Sequence, residues 1–197
     1  SAPSGSFFFA SRMMEENNKE PEGADVAATA NRPYKGSCLC GAVEVEATPP
    51  KLFSVICHCT ICQRLGSASG QALVGFPGKS LRLVPTPNAA AAAAAEQQQL
   101  LDSYQTSEGM IRYRCKACGS SVYNQSLLPD LDFRDAPLAN FERDPDTGIV
   151  ERLEELTPTA HIFCQHRTPG LVGTDADGVT KWFGHVGHSK RVEEVEH

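Results

Sequence analysis

The run Cys57-His58-Cys59-Thr60-Ile61-Cys62 brings three thiols into a single short stretch of chain. Sulfurs this close can all reach one soft metal ion, for which zinc is the default, and they fill three of its four tetrahedral positions. The fourth can take water, a substrate thiol or another side chain. Cys164, His161, His166 and His58 are the candidate side chains. His58 lies between two ligands and is expected to point away from the metal. Cys164 sits in the alternating run Ala160-His161-Ile162-Phe163-Cys164 and equally suits a buried free thiol. A fourth protein ligand makes such a site structural. An incoming thiol makes it reactive, because coordination holds sulfur as thiolate near neutral pH.

The chain carries eight cysteines. Besides the triplet there are the pairs Cys38-x-Cys40 and Cys115-x-x-Cys118, and the single Cys164. Disulfides stabilise most when they close long loops, whereas bridges within such pairs would close small, strained rings. Clustered thiols therefore point to metal, and the seven clustered sulfurs exceed the four that one zinc takes. The natural partition is four plus three. Cys38, Cys40, Cys115 and Cys118 make a closed structural zinc site that ties distant segments together, and Cys57, Cys59 and Cys62 hold a second zinc alone. Gly41 and Gly119 follow the two pairs and suit tight turns with backbone N–H groups aimed at sulfur. Lys116 either offsets the thiolate charge or is simply exposed.

The elements that must position these thiols read as short strands. Ala42–Ala47 alternates, Leu52–Cys57 delivers the first thiol of the triplet, and Thr60–Leu65 suits a short helix stopped by Gly66. Gln71–Phe76, Leu81–Val84, Ser121–Asn124, Ala160–Cys164 and Val179–Phe183 read as further strands, and Leu100–Gln105 with Met110–Cys115 as a hairpin. Helix is scarce, so the expected class is mainly β, with metal-clamped hairpins. Residues 1–31 read as a flexible arm, 32–188 as one zinc-binding domain, and 189–197 as a charged tail. The alanine-rich stretch at about 85–99 and the polar, acidic stretch 129–158 read as insertions, the second as a long irregular excursion.

The 197 residues carry a formal net charge of −6. The charge is uneven: residues 32–128 hold nine basic and five acidic side chains. That mild excess suits a small anionic ligand and falls well short of the dense basic patch of a nucleic-acid binder. No apolar run approaches the ~18 residues of a membrane span, and Phe7-Phe8-Phe9 is too short for a secretory segment. With clustered thiols, this leads us to expect a reducing intracellular compartment, the cytoplasm first and an organelle second. Asp144-Pro145-Asp146-Thr147-Gly148 lacks the remainder of a calcium loop. Neither a Ser-His-Asp set nor a carboxylate pair stands out, so metal is the catalytic device. Arg64 and Arg112 are the candidates to meet a substrate carboxylate, with surface or ion-pair roles as the ordinary alternative.

Three stretches together resemble a known family. They are Gly36-Ser37-Cys38-Leu39-Cys40-Gly41-Ala42-Val43, Cys57-His58-Cys59-Thr60-Ile61-Cys62-Gln63-Arg64 and Arg112-Tyr113-Arg114-Cys115-Lys116-Ala117-Cys118-Gly119-Ser120. In order and spacing they are similar to the glutathione-dependent formaldehyde-activating enzyme and centromere protein V family, over about residues 34–125. The resemblance implies a β-tent fold of small antiparallel sheets. It also implies structural zinc at Cys38, Cys40, Cys115 and Cys118, and a zinc at Cys57, Cys59 and Cys62 that accepts the thiol of glutathione. The implied activity joins glutathione to formaldehyde, a carbon–sulfur lyase reaction. The alanine-rich insertion, the acidic stretch and Cys164 depart from the family pattern.

Two functions follow as expectations. The first is a zinc-dependent carbon–sulfur lyase acting on a small thiol such as glutathione and a small carbonyl such as formaldehyde. The second is a non-catalytic zinc module or assembly subunit, with a protein partner and both zincs structural. Nucleic acid and membrane are not expected partners of either.

Overall fold

The computed structural model describes residues 31–84, 98–169 and 177–194. The arm over 1–30, the alanine-rich run, most of the Gly173–Gly178 turn and the last three residues lie outside the described residues.

Two sheets carry the chain. The smaller has three antiparallel strands: β1 (Tyr34–Ser37), β2 (Glu44–Ala47) and β5 (Leu81–Val84), in the order β1-β2-β5. The larger contains β3 (Phe53–Cys57), β4 (Gln71–Pro77), β6 (Leu101–Ser107), β7 (Met110–Cys115), β8 (Ser121–Ser126), β9 (Phe133–Pro137), β10 (Ala160–Ile162) and β11 (Thr180–Lys181). Its order is β11-β10-β3-β4-β9-β8-β7-β6, antiparallel except that β10 runs parallel to β3 and β11. The mainly β reading holds. Helix α1 (Thr60–Gly66) follows β3, and its stop is Ser67 in the left-handed conformation rather than Gly66.

The alternation of β4 explains the layering. Val74 and Phe76 point to one face and pack with Val45, Ala47 and Leu81 of the small sheet, with Val43 just before β2, and with Ala136 of β9. Leu73 points to the other, where it meets Val55, Cys57, Cys62 and Ala160. The first cluster is the main core between the sheets. The second is a thinner apolar layer beneath the three-thiol run.

The acidic stretch 129–158 is no irregular excursion. It supplies β9, a central strand between β4 and β8, and the one-turn helix α2 (Leu153–Leu156). Phe141, Val150 and Leu156 from it are buried in the main core. Several of its polar groups are paired, some with distant segments. Glu155 accepts two bonds from Arg152, at 2.7 Å each, and one from the Tyr34 hydroxyl, also at 2.7 Å. The Arg152 guanidinium lies 4.1 Å over the Tyr34 ring, clamping α2 to β1.

Candidate metal centres

The first centre forms where two turns meet. Cys38 and Cys40 follow β1, and Cys115 and Cys118 flank the β7–β8 turn. All four Sγ atoms lie within 4.8 Å of one another. The Cys38–Cys40 and Cys40–Cys115 sulfur pairs are 3.6 Å and 3.8 Å apart. A tetrahedron with metal–sulfur bonds of about 2.3 Å has edges of about 3.8 Å, which these two pairs match. Gly41 and Gly119 take φ of 72° and 76°. Their N–H groups close the turns onto the Cys38 and Cys115 carbonyls at 3.0 Å and 2.8 Å, not onto sulfur. Sulfur is met instead by the Val43 N–H, 3.3 Å from Cys38 Sγ, and by the Ser120 hydroxyl, 2.9 Å from Cys118 Sγ. Lys116 turns away and donates to the Gln99 carbonyl at 2.6 Å.

The second centre joins the end of β3 to the start of α1. Cys57 is the last residue of β3, Cys59 caps α1, and Cys62 lies one turn in; their sulfurs are also mutually within 4.8 Å. Cys57 and Cys62 are buried and Cys59 is half-buried. The Cys62 N–H points at Cys59 Sγ at 3.3 Å. Bonds from the Cys57 and Cys62 thiols, then the Cys62 and Ile61 N–H groups, hold the Cys59 thiol far below its ordinary range, at about 2. Its bonds to Cys59 and Cys62, followed by burial, push the Cys57 thiol up.

Among the described residues no other Cys, His, Asp or Glu joins this trio within the same radius. His58 does point away, into a buried chain. Its Nδ1 lies 3.1 Å from the Ser69 carbonyl and its Nε2 lies 2.8 Å from Nδ1 of His161, whose Nε2 lies 2.6 Å from Asp177 Oδ2. Lys181 donates to Asp177 Oδ1 at 2.8 Å. His161 is thus occupied as well. Cys164 is buried in a 3-10 turn (Cys164–His166), with burial raising its thiol, and His166 is exposed beside it.

What separates the two centres is access. Cys57, Cys59 and Cys62 all line a cavity of about 610 Å³, and no thiol of the four-sulfur centre does. Its walls are mostly apolar, including Phe53, Leu73, Met110, Phe133, Ile162 and Phe163. Of the two candidate arginines, only Arg112 reaches it; Arg64 lies exposed on the last turn of α1. Arg112 Nη2 donates to Cys62 Sγ at 3.4 Å and its Nε to Thr106 Oγ1 at 3.3 Å.

The register sets a polar row across the cavity face of the large sheet. Arg112 of β7 pairs with Asn124 of β8, Asn124 with Asp135 of β9, Asp135 with Gly75 of β4, and Gly75 with Phe53 of β3. Paired residues share a face. Asn124 Nδ2 donates to Asp135 Oδ1, and both side chains are buried. Burial pushes the Asp135 carboxyl up to about 6, against the opposing effects of Asn124 and Arg112. Asp135 has no cysteine-like spacing to betray it, and only the strand register discloses its place.

The sequence pattern that defines the glutathione-dependent formaldehyde-activating enzyme family matches residues 33–166. No curated protein matches the chain. A Rhodobacter sphaeroides protein of known crystal structure is 25% identical, over 59% of this chain and 96% of that one, with a TM-score of 0.42.

Proposed function

This chain belongs to the glutathione-dependent formaldehyde-activating enzyme family, and on that premise we propose that it makes or breaks a carbon–sulfur bond between a small thiol and a small carbonyl compound. The observation that carries this reading is the contrast in access: the three-thiol centre opens on the cavity, and the four-thiol centre does not. Glutathione and formaldehyde are the reactants that the family description suggests.

In this reading Cys38, Cys40, Cys115 and Cys118 hold a structural zinc that pins the β1–β2 turn to the β7–β8 turn. Cys57, Cys59 and Cys62 hold the second. Zinc bound there supplies Lewis acidity, which keeps a substrate thiol ionised at neutral pH. The chain's own residues do the rest. The mostly apolar walls surround the thiols with low-dielectric surface, against which charge interactions are stronger than in water. Arg112 places a positive charge beside Cys62, offsetting the excess negative charge of three thiolates.

The test is to load the protein with zinc, add a thiol and ¹³C-formaldehyde, and follow the hydroxymethyl thioether carbon by NMR. Exchange faster than the uncatalysed rate, abolished by Cys59→Ser, is expected. Exchange at the uncatalysed rate in the zinc-loaded wild type would overturn the reading.

A further inference from the structure

We propose that Asp135 is the acid–base residue of this reaction, giving a proton to the carbonyl oxygen as the carbon–sulfur bond forms and taking it back as the bond breaks. The inference rests on the lyase reading above and extends it to a residue outside both cysteine centres.

Geometry carries it. Asp135 lines the same cavity as the three thiols and is 3% exposed. It sits mid-sheet in the row that begins at Arg112, and Arg112 touches Cys62. Sulfur centre and carboxyl therefore line one cavity, the carboxyl from β9 and Cys57 from β3, with β4 between them. A buried carboxyl without a full cationic partner is costly. Here Asn124 Nδ2 bonds Oδ1, while the Oδ1 of the Asn124 amide is buried with no partner of its own.

The chemistry requires such a group. When a thiolate attacks a carbonyl carbon, the sulfur lone pair forms the C–S bond and the C=O π pair moves to oxygen. That oxygen takes a proton from the Asp135 carboxyl and becomes hydroxyl. In reverse, the Asp135 carboxylate takes the hydroxyl proton, the C=O bond re-forms, and the C–S pair returns to sulfur. No outside oxidant or reductant is needed.

The surroundings support a carboxyl that works in both states. Burial raises it to about 6, near neutral pH. Its register neighbours are the neutral Asn124 of β8 and Gly75 of β4, and the titratable and charged groups that line the cavity with it are Arg112, the three thiols, His185 and His188. Its neighbour Arg134 is turned elsewhere and bonds the Leu81 carbonyl at 2.9 Å.

The experiment compares the pH–rate profiles of zinc-loaded wild type, Asp135→Asn and Asn124→Leu in both reaction directions. At saturating thiol, kcat for addition by wild type should fall as pH rises through about 6, and kcat for cleavage should rise over the same interval. Asp135→Asn should lower kcat about 100-fold or more, leave KM for the thiol little changed, and lose that limb. Asn124→Leu removes a bond that lowers the carboxyl, so the limb should move to higher pH. An Asp135→Asn protein with wild-type kcat and an intact limb overturns the inference. Should that variant fail to fold, a limb unmoved in Asn124→Leu overturns it equally. Wild type with no activity in either direction removes the lyase reading and this inference together. Activity in wild type with an indifferent Asp135 removes this inference alone.

Discussion

Arg112 Nη2 lies 3.4 Å from the Sγ of Cys62, joining a strand of the large sheet to the helix that carries the buried last thiol of the triplet. The two residues are 50 positions apart, and their contact makes the three-sulfur centre a shared property of β7 and α1 rather than of one local loop.

That contact predicts a site-specific loss. Arg112→Ala should weaken metal binding at the three-sulfur centre about 10–100-fold, the usual effect of removing a group that orients a ligand. The four-sulfur centre should keep its metal. Competition with a chromogenic chelator, which resolves the two equivalents, checks this.

The two centres should differ in what they hold up. Cys115→Ser opens the junction between the turns after β1 and β7, and should cost the cooperative thermal transition as well as one metal. Cys59→Ser should cost one metal but shift Tm by only a few degrees, at about 2–4 °C per kcal/mol for a chain of this size. Metal content paired with calorimetry separates them.

The raised carboxyl of Asp135 makes stability depend on pH. The folded state binds this proton more tightly than the unfolded chain does. The resulting stabilisation is present in full below the ordinary carboxylate value of 3.8 and is lost as pH rises through about 6. The difference is about 3 kcal/mol at neutral pH and above. Asp135→Asn, which is neutral throughout, should therefore raise Tm relative to wild type at pH 8 and not at pH 4. Thermal melts across that range check the sign.

Gly75 shapes the cavity wall. A Cβ there would strike the ring of Phe53, its partner across the β3–β4 pair. Gly75→Ala should push that ring into the cavity, cost about 1–3 kcal/mol through overpacking, and weaken binding of an apolar thiol. Denaturant melts and thiol titration check the two effects.

Much of this was legible in the sequence because it is local. The cysteine spacings, the alternation that ends in Cys57, and the hairpin into Cys115 each sit within a few residues. The stretch 129–158 was not legible. Phe133-Arg134-Asp135-Ala136-Pro137 reads as polar loop, yet it becomes a central strand because Arg134 and Asp135 find partners on opposite faces. The same holds for His58. Its turn away from the thiols follows from its place between them, but its partner His161 lies 103 residues on. Contacts made by distant register, such as Arg112 to Asn124 to Asp135, leave no trace in spacing.

The central claim is that a substrate thiol completes the coordination begun by Cys57, Cys59 and Cys62. Zinc-edge X-ray absorption of the protein, with and without added glutathione or a simpler thiol, tests it most directly. We predict that the mean sulfur count per zinc rises toward four on adding thiol, and that Cys59→Ser removes the rise. A count unchanged by any thiol, with the second zinc present, would contradict the account.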